Sequence, residues 1–312
     1  MATTRDLERL VRTFIDPKTH NQVFNATPWV KRCQDKATKR ASMGQYMEYP
    51  LEIARGQAGA YSDLQMIDSQ RVEITQKAAF YMKQYYAQLT VSWKDMLTCR
   101  GPEDVVGLLD VKAKNAQKTL GYNLSTDSIT TNADTARCMV GLDTLIYQGS
   151  NTVGGIDSST YTWWANKTKN VNGTITIPDI ITTALLASDG NETPTILLTD
   201  KFIVAYCWGN LLQQQERYAG EYNMSKDLPA VAGFPMMWDA AMQGSETATG
   251  GLIYFINEDY FGWDIHSADN LKYWPYAKAD NQFAFKAQWT ISMVQKITNR
   301  RRQAVAYGIT VS

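Results

Sequence analysis

The sequence predicts a mixed α+β fold, and three observations carry that expectation. Apolar side chains alternate with a period of two near both ends of the chain. One long amphipathic helix stands between them, and the middle of the chain alternates short helices with short strands. Strands from both ends are therefore available to one sheet.

In chain order, the first element is a helix. Thr4 is placed to cap it, Leu7, Leu10, Val11 and Phe14 share one face, and Asp16-Pro17 ends it. An irregular basic stretch runs to about residue 42. It holds too few large apolar residues for a core of its own, so it reads as an arm lying on another surface. A long hairpin follows. In 45–55, Met47, Tyr49, Leu51 and Ile53 alternate with Tyr46, Glu48 and Glu52; in 71–77, Val72 and Ile74 alternate with Arg71, Glu73 and Thr75. Gly56 and Gly59 lie at the tip. A two-stranded ribbon alone is marginal in water, so this one should lean on a neighbour, in the same chain or another.

Residues 87–93 predict a further strand, and 101–121 the best-defined helix. Pro102 suits its first position, Glu103 and Asp104 complement its dipole, and Lys112, Lys114 and Lys118 lie toward the other end. Val105, Leu108, Leu109, Ala113, Ala116 and Leu120 form one apolar stripe, and Gly121 is the expected stop. Farther on, a helix is expected from Pro178 to a stop at Gly190, and a buried strand over 195–199. A helix capped by Asp200 should run over 200–215, and a strand over 233–239. Residues 252–256 and 260–265 read as a hairpin around Asn257-Glu258-Asp259, whose adjacent acids read as solvated. The strands 282–293 and 303–311 close the chain, with Asn299-Arg300-Arg301-Arg302 as a turn between them.

Composition narrows the function. Apolar content of 44% and charged content of 20% suit a folded chain. No apolar run reaches the ~18–20 residues that span a bilayer, and the N-terminus carries charges where a signal peptide is apolar. Synthesis in the cytosol and no membrane contact are expected. Cys33, Cys99, Cys138 and Cys207 are scattered without metal-clip spacing. The net charge is zero but uneven. Residues 1–55 hold 10 basic and 6 acidic side chains (+4), 281–312 hold 5 basic and none acidic (+5), and 56–280 carry 16 against 25 (−9). Basic ends on an acidic body suit nucleic-acid contact or charge-complementary packing between subunits.

Catalytic patterns are missing: there are two histidines, His20 and His266, and no nucleophile elbow, metal-protease pair or phosphate loop. No enzyme activity, cofactor or metal is expected; a hydrolase built on His266 and Asp264 ranks last. The arginine run suits phosphate, a soluble turn or a salt-bridge cluster between subunits equally. One segment, SNTVGGIDSSTYTWWAN (150–166), has neither helical nor strand period, yet holds Gly154, Gly155, Trp163 and Trp164. Its tryptophans serve as anchors, or, on an alternative from a different class, stack on sugars in a glycan-binding module.

Two stretches resemble the major capsid (major head) proteins of tailed double-stranded DNA bacteriophages. GLDTLIYQGSNTVGGIDSSTYTWWAN (141–166) is similar to the segment that opens their axial domain. NLKYWPYAKADNQFAFKAQWTISMVQKITNRRRQAVAYGI (270–309) is similar to their C-terminal run, and the order of elements matches over nearly the whole chain. The resemblance implies the HK97-like capsid fold. Its parts would be an N-terminal arm (1–42), an extended loop hairpin (43–78), a peripheral domain (79–138) with spine helix 101–120, an axial domain (139–250) and return strands of the peripheral domain (251–312).

It further implies a structural protein that self-assembles through hexamers and pentamers into an icosahedral shell around the phage genome. The loop and arm would reach over the adjacent subunit. Arg55, Tyr61, Arg71, Glu73, Arg300, Arg301 and Arg302 are the candidate intersubunit contacts. Gly154, Gly155, Trp163 and Trp164 are the candidate structural anchors, with burial inside the subunit favoured. The arm and final hairpin should neutralise acidic surface on neighbours, and packaged double-stranded DNA should be contacted weakly and non-specifically. Many relatives carry a removable scaffold segment before the loop, and this chain leaves no room for one. A separate scaffolding protein, or none, is therefore implied, with a portal and a possible decoration protein. Residues 56–70 contain no lysine for the cross-link some relatives make. An encapsulin-like bacterial compartment shell shares the fold and is the first alternative.

Overall fold

The computed structural model describes residues 27–63, 72–98, 102–190, 192–211, 230–231, 233–242, 251–278 and 283–310. The helix expected at 4–14 and the contact residue Arg71 lie outside them. The first half contains α1 (Pro28–Asp35), β1 (Thr38–Arg40), β2 (Tyr46–Glu52), β3 (Thr75–Tyr81), β4 (Lys83–Ser92), α2 (Trp93–Thr98), α3 (Pro102–Ile129) and α4 (Leu142–Leu145). There follow β5 (Thr152–Val153), β6 (Ile156–Asp157), β7 (Lys167–Gly173), α5 (Ile177–Ala187), β8 (Ile196–Thr199) and α6 (Lys201–Tyr206). The chain continues with β9 (Ala230–Val231), β10 (Phe234–Trp238), β11 (Gly251–Ile256), β12 (Phe261–His266), β13 (Lys272–Lys278), β14 (Ala284–Ile297) and β15 (Ala304–Ile309).

Two sheets organise these elements. The five-stranded sheet has the order β1-β12-β14-β13, with β4 along the other edge of β14. The six-stranded sheet has the order β7-β15-β11-β8-β10-β9, and β2–β3 and β5–β6 are separate ribbons. One apolar core joins α1, α3, the hairpin and the five-stranded sheet through residues such as Trp29, Leu89, Leu124, Trp263 and Ile291. A second core lies between α5, α6 and the six-stranded sheet, with Ile180, Leu197, Ile203 and Phe255 at its centre.

Several expectations are corrected. The stretch taken as an irregular arm contains α1 and β1. Pro28 opens the helix, Trp29, Val30 and Cys33 are buried, and β1 pairs in parallel with β12. The returning strand of the hairpin is β3, four residues beyond 71–77, because Ala78 and Phe80 supply its buried face while Val72 and Ile74 stay exposed. The hairpin also leans on its own chain: Tyr49 and Leu51 are buried, and the Ala79 N–H donates to the Gly154 carbonyl at 3.0 Å. Residues 55–63 and 72–74, at the tip, are exposed.

The long helix runs through Gly121 to Ile129. A mid-helix glycine costs only about 1 kcal/mol, and the added turns find partners. Ser128 Oγ accepts from Trp29 Nε1 (3.0 Å), and Ser125 Oγ donates to Asp239 (2.7 Å). Helix α5 ends at Ala187, earlier than Gly190, which sits at φ +63° in the following turn. The N-cap of α6 is Asp200, but the regular α-helix ends at Tyr206 and gives way to a π turn over Cys207–Leu211.

The largest correction is topological. β11 and β12 do not form a hairpin, although only 257–260 separate them. β11 pairs with β8 and β15, and β12 with β14 and β1. Residues 253–256 are all buried, as a strand central in a covered sheet requires. Likewise β14 and β15 lie in different sheets, so 298–303 is a second crossing between sheets instead of a hairpin turn. β11 and β15, expected among the peripheral return strands, thus lie within the sheet built by β7, β8 and β10. The two crossings are tied together: the Gln303 side-chain amide accepts from Asn257 N (2.8 Å) and donates to Asn257 O (3.0 Å).

Candidate assembly site: a buried arginine junction and the surfaces it positions

The aperiodic segment 150–166 folds around the second crossing. Gly154 (φ +62°) and Gly155 (φ +81°) make the tight turn between β5 and β6, a conformation that glycine adopts without strain. Gly154 also lies against the hairpin, where a Cβ would stand 2.9 Å from that of Ala78. Trp164 is buried and its Nε1 donates to Val153 O (3.0 Å); Trp163 packs beside it, half-buried, with ring centroids 5.9 Å apart.

At the centre is Arg300, fully buried. Its Nε donates to Leu145 O (2.9 Å), and its Nη2 to Asn151 Oδ1 (2.7 Å) and Asn166 Oδ1 (3.0 Å). The guanidinium lies 5.9 Å from the Trp164 ring centroid. Each asparagine is oriented by its own amide nitrogen, Asn151 through Thr144 O (2.6 Å) and Asn166 through Tyr147 O (2.7 Å). Burial pushes the Arg300 pKa down to about 10, which leaves it charged at neutral pH. Arg300 was expected at a contact between subunits. It lies inside this one, where 145–166 supplies three oxygen acceptors in place of water for Nε and Nη2, while Nη1 is buried with no hydrogen-bond partner among the described residues.

The other candidate residues separate. Arg302 is mostly covered and reaches Asp189 and Glu192 of its own chain, both at 3.2 Å. Arg301 is exposed, as are Arg55, Tyr61 and Glu73 on the hairpin tip. The junction therefore fixes the root of a hairpin whose tip is uncovered.

Two carboxylates that sequence reasoning set aside fasten α1 and β1 to the body. Glu258, read as a solvated turn acid, has a side chain only 5% exposed. It accepts from Arg32 (2.5 and 2.8 Å), Lys36 (2.8 Å) and Thr195 (2.8 Å). Burial alone would raise its pKa, but these donors outweigh burial and hold it down at about 2. Asp264 is fully buried between Arg40 (2.5 Å), Lys296 (2.6 Å) and Tyr49 (2.7 Å). Burial opposes its ionisation too, and Lys296 leads the groups that keep its pKa below the usual range. Arg32, Lys36 and Arg40 thus neutralise acids of their own chain, where neighbouring subunits had been expected to supply them. The only sequence signal was spacing: Arg32, Lys36 and Arg40 recur every four residues.

No His–Asp pair forms at 264–266. Asp264 is held as described, and His266 Nδ1 accepts from the Ala268 N–H at 3.1 Å. Among the described residues, no three His, Cys, Asp or Glu side chains gather as a metal site, and no helix is long and apolar enough to cross a membrane.

No family model matches the sequence, and no curated protein matches it. Solved structures do match in fold. A chain of the cyanophage A-1(L) capsid aligns at TM-score 0.62 and 15% identity, covering 91% of this chain and 93% of that one. A capsid chain of a native GTA particle gives TM-score 0.61 at 8% identity, covering 89% of each. The SrpI encapsulin of Synechococcus elongatus PCC 7942 gives TM-score 0.58 at 9% identity, covering 91% and 88%. Coverage is near nine-tenths of both partners in each case. This chain has the HK97-like capsid fold, an α+β architecture.

Proposed function

We propose that the chain is the repeating subunit of an icosahedral phage capsid, assembled through hexamers and pentamers around double-stranded DNA. The observation that carries this reading is the hairpin: its root is fixed by Gly154 and Asp264, while the described residues of its tip, 55–63 and 72–74, are exposed. On this reading the tip lies over the adjacent subunit, and Arg55, Tyr61, Glu73 and Arg301 are contacts there. In this reading β7–β11 with β15 form the axial unit, and the five-stranded sheet with α3 forms the peripheral one. Formal net charge of zero suits a container that releases its genome, since phosphate binding grows with the cations offered. A separate scaffolding protein, a portal and a decoration protein belong to the proposal as partners, and the virion is its location.

The likeness to an encapsulin favours a second reading, a bacterial compartment shell around cargo proteins. Electron microscopy and sedimentation of the purified protein test both. Closed icosahedral particles or five- and six-membered rings are the expected result, and a protein that stays monomeric with scaffold or crowding agents refutes both. Particles that fill with a cargo enzyme and never with DNA decide for the second.

A further inference from the structure

One edge of the five-stranded sheet is open. β4 pairs with β14 in one unbroken register, and Trp93 N extends it by donating to Phe283 O at 3.0 Å. In such an antiparallel ladder the odd residues of β4 turn their backbone groups toward β14, and the even ones turn theirs away. Just before the strand, Met82 N donates to Gln45 O at 3.0 Å, and near its end Thr90 O accepts from Lys112 Nζ at 3.2 Å. Between these points the outward N–H and C=O groups of Gln84, Tyr86 and Gln88 have no partner among the described residues.

A cleft of about 1120 Å³ runs beside that edge. Gln88 and Thr90 line it from the strand, and Asn115, Thr119, Asn123 and Thr126 from α3, at the spacing of one helix face. Thr126 Oγ1 is buried there without a hydrogen-bond partner. The charged groups on the cleft are engaged. Lys83 donates to Thr135 O (2.6 Å) and Ala136 O (2.8 Å), and Lys112 to Asp95 (2.8 Å). Arg137 pairs with Asp134 (3.6 Å), and Asp127 accepts from Tyr85 (3.0 Å). With Asp95 and Asp134 counted, three cations meet three carboxylates, so a phosphate backbone finds little to hold. This chain's own candidate strands match no better. Residues 1–26 hold four basic and three acidic side chains, and the hairpin tip carries Glu52, Arg55, Asp63 and Glu73.

We propose that the open edge of β4 and the amide-and-hydroxyl face of α3 seat an extended, uncharged peptide strand from a separate protein. The strand continues the ladder through the backbone of Gln84, Tyr86 and Gln88, and its alternate side chains lie along α3. The inference goes beyond the shell reading and does not depend on it.

The probe is a dye-labelled peptide of about seven residues, alternating Thr and Val with blocked ends, long enough to span 84–90. Its binding to the full-length protein is read by fluorescence anisotropy, beside the same peptide methylated at every backbone nitrogen. The plain peptide should bind with Kd on the order of 100 μM or tighter, and the methylated one about tenfold or more weakly. Thr119→Trp fills the cleft from an exposed helix position, and Gln88→Pro removes an outward N–H without touching the β14 ladder. Each should weaken binding by about tenfold. Circular dichroism checks the fold, and if the proline variant unfolds, Thr119→Trp decides. No binding of the plain peptide at about 1 mM, equal binding of the methylated one, or unchanged binding in folded Thr119→Trp overturns the proposal. An oligothymidylate that binds wild type and not Thr119→Trp assigns the cleft to nucleic acid, which also overturns it. So does a peptide copying residues 4–16 that binds more tightly than the plain probe, since the cleft then belongs to this chain's own N-terminal segment. Wild type that binds the plain peptide yet forms neither rings nor shells supports the proposal and refutes only the shell reading.

Discussion

Replacing Arg300 with methionine isolates the energetics of the junction. Methionine keeps an unbranched apolar stem, ends short of the guanidinium position, and leaves Leu145 O, Asn151 Oδ1 and Asn166 Oδ1 without their donor. Three bonds from a charged donor contribute about 1.5–3 kcal/mol each, or about 5–9 kcal/mol gross. Against this stands the cost of burying the cation. Burial pushes its pKa down to about 10, below the ordinary guanidinium range, which corresponds to about 3 kcal/mol that the methionine variant recovers. The expected net loss is about 4 kcal/mol, within a range of about 2–6 kcal/mol. Urea unfolding of the unassembled subunit, followed by tryptophan fluorescence, measures it. Arg300→Lys should fall between the two, since it keeps the charge and loses the planar fork. Arg300→Met within about half a kcal/mol of wild type would mean that the three acceptors have other partners, and the junction would lose its assigned role.

Three further outcomes follow from the same geometry. Glu258 and Asp264 titrate below their unfolded values, so the stabilisation each gives is complete above the usual carboxylate range and is lost as pH falls through the lowered pKa; for Glu258 that loss runs from about pH 4.5 toward about 2 and amounts to about 3 kcal/mol. Acid unfolding of Glu258→Gln should show a flatter limb over that window, and an unchanged limb refutes the assignment. Gly154→Ala meets both a positive φ and the Ala78 methyl, and should cost about 1–3 kcal/mol while raising hydrogen exchange at the Ala79 amide. Unchanged exchange there would sink the idea that 150–166 fixes the hairpin root. Thr176→Ala removes one side of the capping box of α5 and should lower stability by about 1 kcal/mol in thermal unfolding.

Local chemistry was legible in the sequence, and partner choice was not. The alternation in β14, the buried run of β8 and the Pro-opened α3 came from periods and caps that act within a few residues. The hairpin's first strand was legible for the same reason. Its return slipped because Val72 and Ile74 alternate as well as Ala78 and Phe80 do; only burial against Tyr49 and Leu51 distinguishes them. Asn257-Glu258-Asp259 carries a good turn signal, but a turn between two strands does not say that they pair. That is decided by β8, β14 and β15, tens of residues away. Arg300 shows the limit at the candidate site. Three consecutive arginines are chemically identical in sequence, and the one that is buried is selected by acceptors at 145, 151 and 166.

The paired crossings at 257–260 and 298–303 also constrain how such a subunit can change through inheritance. Neither sheet is encoded by an unbroken stretch: the six-stranded one takes its central strands from 196–199 and 251–256 and then a neighbour from 304–309, after the chain has gone through β12, β13 and β14. A single recombination point between β11 and β15 would therefore mate the inner strands of one parent with the last strand of the other. The Gln303–Asn257 amide clasp would be tested at the same stroke. Exchange between distant relatives should favour whole subunits, while surface loops outside the crossings remain free to diverge.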